Sequence, residues 1–130
     1  MGRQFGNLSD GDVHFWAVWW GGMRLEGYEH NMGLFNTEFG MQSFLPMATM
    51  NLFLPAIELM HVNTAGIIHH NSMLAGLNHI HNFTNELFGQ TESLENYAYL
   101  SICMQAWGVG KRIHALRQAM PRTMGSLFWQ

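Results

Sequence analysis

The chain has 130 residues, enough for one domain or part of one, and carries a formal charge of −3. Its basic residues form no cluster beyond Lys111-Arg112, so the electrostatic footprint of a nucleic-acid binder is missing. Apolar residues reach 48% and charged residues only 12%, about half the usual share for a soluble domain. A piece of a larger enzyme's interior has that balance; a free-standing small protein needs more polar covering.

Residues 1–12 are polar and glycine-rich and read as loop, without the apolar core of a signal peptide. "VHFWAVWWGG" follows, with Trp16, Trp19 and Trp20 inside five positions and a double glycine to close it. Indoles this dense form either core or a platform for sugar rings. "GLFNTEF" is aromatic, β-compatible and bracketed by Gly33 and Gly40, and it reads as a buried strand ending at Glu38. In a chain so poor in acids, a carboxylate at the open end of a strand is a candidate catalytic group.

Helical character runs from Pro46 to Met60, interrupted by Pro55, and resumes over 65–88. The clearest helix begins near Thr91, a candidate N-cap, with Glu92 favourable to the helix dipole. Apolar positions from Leu94 to Met104 cover nearly every face, which predicts a buried helix. Gly108 and Gly110 weaken its middle, and "KRIHALRQAM" continues it to Pro121. The closing "TMGSLFWQ" suits a final strand. Strand, helices, strand is an α/β order with parallel strands. No apolar run approaches the roughly 20 residues that span a bilayer. The single cysteine, Cys103, rules out an internal disulfide.

Four stretches taken together resemble a known family. "GDVHFWAVWWGG" at 11–22, "NTEFGMQSF" at 36–44, "ENYAYLSICMQA" at 95–106 and "PRTMGSLFWQ" at 121–130 are similar, in order and spacing, to the β-mannosidase branch of glycoside hydrolase family 2. The resemblance implies one domain piece over 1–130: part of a (β/α)8 TIM barrel, about its last quarter to third, with the seventh and eighth strands and their helices. It implies a retaining glycosidase that releases terminal non-reducing β-mannose from oligosaccharides or glycosides, without metal or other cofactor. Glu38 matches the family's nucleophile, with Thr37 in place of the usual serine. Trp129 and Trp16 match aromatic residues that shape the sugar pocket, and Asp12 and His14 match its approach. Trp20, Trp107, Leu45 and Met120 depart from the family pattern.

Chemistry is consistent with that placement. Barrel enzymes gather their reacting groups at the C-terminal ends of strands. A retaining glycosidase needs an ionised nucleophile and a second, protonated carboxyl about 5–5.5 Å away. The family's second carboxyl follows an asparagine well upstream, and no acid before Glu38 does so here; Asn85-Glu86 falls in the wrong order. The expected partner is therefore the remainder of the barrel domain, and the chain alone is expected to be inactive and to associate through open strand edges.

Two other readings compete. His61, His69, His70, His79 and His81 fall close together and invite a metal site, but no pair among them has the i, i+3 or i, i+4 spacing of helical ligands. Eleven methionines would suit a non-catalytic helical interaction module. Neither accounts for the ordered motifs.

Overall fold

A computed structural model describes residues 4–5, 9, 11–71 and 73–129. The chain forms two compact units, one of residues 1–41 with 106–130 and one of residues 42–105.

In the first unit, β1 (Gln4–Phe5) and β2 (His14–Phe15) pair antiparallel, so the N-terminal stretch expected as loop contributes a strand. The expected parallel pairing is present: β3 (Phe35–Asn36) lies beside β4 (Gly125–Ser126), with Phe35 opposite Gly125 and Asn36 opposite Ser126. Backbone hydrogen bonds extend this contact, from Met124 N to Leu34 O, Leu127 N to Asn36 O and Trp129 N to Phe39 O. On the other side, Val13 N donates to Phe35 O, Phe15 N donates to Glu38 O, and His14 bridges Glu38 in parallel. Three segments thus run side by side, 13–15, 34–39 and 124–129, with 34–39 central.

The sequence reading counted two strands. The third escaped it because residues 13–15 continue directly into a turn, where Trp20 N and Gly21 N both donate to Trp16 O. Strand 34–39 is also less buried than its composition predicts. Asn36 and Phe39 are fully buried, whereas Leu34 and Phe35 remain partly exposed. The apolar ending stays open as well: Met124, Leu127, Phe128 and Trp129 are all exposed.

Val13, Phe15, Val18, Trp19, Tyr28, Phe39 and Met41 form the buried centre of this unit, with Ala115 and Leu116. The Phe15 and Phe39 rings both pack against Tyr28, at centroid distances of 6.1 and 6.3 Å. Trp19 resolves the tryptophan question for its own position: it is core.

The second unit is helical: α1 (Met47–Met50), a 3-10 turn over Ala56–Leu59, α2 (Ala65–His70), α3 (Leu74–Phe88) and the beginning of α4 (Leu94–Gln118), which runs on into the first unit. The break at Pro55 is as expected. α2 is tied to the preceding turn by Glu58, whose carboxylate accepts from Gly66 N at 2.9 Å and is held below its usual range by that bond. Phe44 meets Tyr97 edge-to-face at 5.1 Å, and Phe44 N donates to the buried Ser101 hydroxyl.

α4 starts three residues later than Thr91. Ser93, not Thr91, caps it, its hydroxyl accepting from Asn96 N at 3.3 Å. Nor is the helix buried all round: Leu94, Tyr97, Ala98 and Met104 are covered, while Tyr99 and Trp107 are exposed. No helix among the described residues is long and apolar enough to cross a membrane.

Candidate active site

Glu38 stands at the end of the central strand of the first unit, just before the backbone of Trp129 joins Phe39. Gly40 permits that junction, since a Cβ there would lie 1.4 Å from the Trp129 carbonyl oxygen. The Gly40 carbonyl on this turn accepts from Tyr28 Oη at 2.7 Å. Burial raises the Tyr28 hydroxyl's pKa well above its ordinary value, with Arg112 opposing, so the phenol stays protonated and remains a donor.

The Glu38 carboxylate is 20% exposed, enough to meet a ligand and little enough to be oriented. Trp16 Nε1 donates to its Oε1 at 2.5 Å. His14 Nδ1 lies 3.5 Å from its Oε2, and His14 Nε2 lies 3.5 Å from Asp12 Oδ2. Asp12 Oδ1 in turn accepts from the Thr37 hydroxyl. Asp12 and Trp16 flank β2, and Thr37 and Glu38 follow β3, so the parallel bridge between His14 and Glu38 brings all five together.

Of the three residues singled out from the sequence, Trp16 and Glu38 are in direct contact. Trp129 joins them through its backbone, Trp129 N donating to Phe39 O at 2.7 Å, while its indole is exposed. Its backbone lies at the same strand ends.

Beneath Glu38 is a polar network that sequence reasoning did not single out. Asn36 is fully buried, and its Nδ2 donates to Val13 O at 2.7 Å and Glu38 O at 3.1 Å. Its Oδ1 accepts from Arg112 Nε at 2.9 Å. Arg112 is also fully buried, reaching the carbonyls of Tyr28, His30 and Asn31 and lying 4.1 Å from the Phe15 ring centre. Burial lowers its pKa to about 10, with Tyr28 opposing, so it stays cationic at neutral pH. The available signal was Arg112's place beside Ala115 and Leu116 on one helix face, all three buried.

The histidine-rich stretch has other employment. His70 packs edge-on against Phe53 at 4.7 Å, and His81 Nε2 meets Asn85 Nδ2 at 2.8 Å. Among the described residues no three His, Cys, Asp or Glu side chains are grouped to hold a metal ion.

A half-buried carboxylate with an indole donor on one oxygen and an imidazole beside the other, at a strand end among tryptophans, has the ingredients of a carbohydrate-processing site. No family model matches the sequence. Over 97 residues, 74% of the chain, it is 30% identical to β-mannosidase B of Aspergillus terreus and of Aspergillus oryzae. The chain spans only 12% of the length of those relatives. Its fold matches a β-D-mannosidase from Dictyoglomus thermophilum with a TM-score of 0.87 and 32% identity, over 92% of this chain and 15% of that one. The chain is therefore glycoside hydrolase-like. More particularly, it is similar in sequence and in fold to one stretch of the β-mannosidases: a β-mannosidase-like fragment.

Proposed function

We propose that residues 1–130 form the nucleophile-bearing portion of a retaining β-mannosidase of glycoside hydrolase family 2. In this reading the parallel segments 13–15, 34–39 and 124–129 are consecutive strands of a (β/α)8 barrel, one strand more than the sequence motifs alone implied. The observation that carries the reading is the Trp16–Glu38 hydrogen bond at the end of the central segment. It gives the carboxylate a fixed direction at the place where barrel enzymes keep their reacting groups.

Glu38 attacks the anomeric carbon of a terminal β-mannoside, forming a glycosyl ester as the bond to the leaving oxygen breaks. A carboxyl group from the rest of the barrel protonates that oxygen, then deprotonates the water that hydrolyses the ester. Trp16 orients Glu38, and Trp129 offers a ring face to the sugar. Alone, the chain lacks the acid and is inactive; its partner is the remainder of the barrel.

The test is complementation. The Dictyoglomus enzyme lacking its matching stretch is co-expressed with this chain, and 4-nitrophenyl β-mannoside hydrolysis is followed. Activity that vanishes with Glu38→Gln, together with mass-spectrometric labelling of Glu38 by a 2-deoxy-2-fluoro mannosyl fluoride, is the expected result. An assembled complex that is inactive, or one equally active with Glu38→Gln, overturns the assignment.

A further inference from the structure

The Arg112–Asn36 pair does more than fill the core. Asn36 has two chemically different ends, and its orientation decides what they touch. Only with Oδ1 toward α4 does Nδ2 reach both Val13 O and Glu38 O. Arg112 Nε, which can only donate, meets Oδ1 and excludes the flipped amide, which would set donor against donor. Glu38 O then receives two donors, Asn36 Nδ2 at 3.1 Å and Phe15 N at 2.7 Å. Arg112 is itself clamped by the carbonyls of Tyr28, His30 and Asn31, so its fork has one direction.

We propose that Arg112 is a positioning residue for Glu38: it sets the Asn36 amide, which fixes the backbone from which the carboxylate is aimed at Trp16 and the sugar. The inference rests on the reading of Glu38 as the nucleophile for its catalytic consequence, but not for its geometry. An apolar side chain could occupy the same volume; a buried cation is costly to place and offers directional hydrogen bonding in return.

The experiment uses the complemented complex, with this chain alone labelled with 5-fluorotryptophan and its five fluorine resonances followed. Trp16→Phe identifies the Trp16 signal, and Glu38→Gln shows how far it moves when its acceptor changes. Arg112→Lys keeps the cation and removes the fork. Asn36→Asp keeps the acceptor for Arg112 and removes the donor to Glu38. Both should shift the Trp16 resonance while the Trp19 resonance stays in place, and should lower kcat roughly tenfold or more with KM changed far less.

An unmoved Trp16 signal in a folded variant overturns the inference, as does a kcat unchanged in an active complex. If one variant fails to assemble, the other decides. Failure of both marks the pair as core support only and also overturns it. A wild-type complex without activity would sink the nucleophile reading, while the fluorine spectra would still decide the positioning role.

Discussion

Gly108 and Gly110 lie two residues apart on α4, yet replacing each by alanine should act in opposite directions. In an ordinary helix interior, glycine to alanine is stabilising by roughly 0.5–1 kcal/mol, because the unfolded chain loses freedom. A Cβ on Gly110 meets nothing within 4 Å, so Gly110→Ala should show that full gain. A Cβ on Gly108 would lie 2.1 Å from Met41 Sδ, with Leu25 Cδ2 at 3.3 Å and Tyr28 Cε2 at 3.4 Å. Met41 and Tyr28 are completely buried, so the sulfur has little room to retreat. Overpacking of this kind costs about 1–3 kcal/mol, which outweighs the propensity gain. Gly108→Ala should therefore be destabilised by about 1 kcal/mol net, some 2 kcal/mol below Gly110→Ala. Urea unfolding followed by circular dichroism would separate the two midpoints by roughly 1 M. If Gly108→Ala proved as stabilising as Gly110→Ala, the close packing of α4 on Met41 would be refuted.

Burial holds the His79 imidazole below its ordinary pKa of 6.5. The unfolded chain then takes up that proton first, so this contribution to stability is present above pH 6.5 and is lost as pH falls through and below it. Urea midpoints should decline between pH 7 and 5, and His79→Gln should flatten the decline; an unchanged slope would remove His79 as its source. Lys111 donates to Glu29 Oε1 at 2.7 Å, lowering the pKa of that exposed carboxylate. Because water screens such a pair, Lys111→Met should leave the urea midpoint almost unchanged. A clear drop in that midpoint would show that Lys111 supports more than Glu29.

Residues with a strong local signature were legible in advance. Pro55 interrupts the helices where expected, and the glycine-bracketed 33–40 stretch lies in parallel with the segment near 125. Of the residues named around Glu38, Trp16 is in contact with it and the backbone of Trp129 lies alongside. Illegible features depended on contacts between residues far apart in sequence. The third strand is two residues long and draws its identity from Phe35 and Glu38, not from its own pattern. Arg112 reads as a surface cation until its partners, 76 to 84 positions away, surround it. The cap of α4 is Ser93 and not Thr91; both carry a hydroxyl able to accept from the first turn, and sequence alone does not fix a helix end to within a residue or two.

The central position of segment 34–39 also sets a timetable. Thr123, whose hydroxyl donates to Gly33 O, and its acceptor are separated by 90 residues, and β4 begins two residues after Thr123. At about 5–20 residues per second, synthesis leaves one edge of that segment without its neighbour for roughly 5–20 s. Throughout that interval Glu38 can already have its partners from residues 13–16, while the side awaiting 124–129 is a bare row of amides and carbonyls. The nascent chain is thus open to mispairing at the strand that ends in its candidate nucleophile until residues 124–129 emerge.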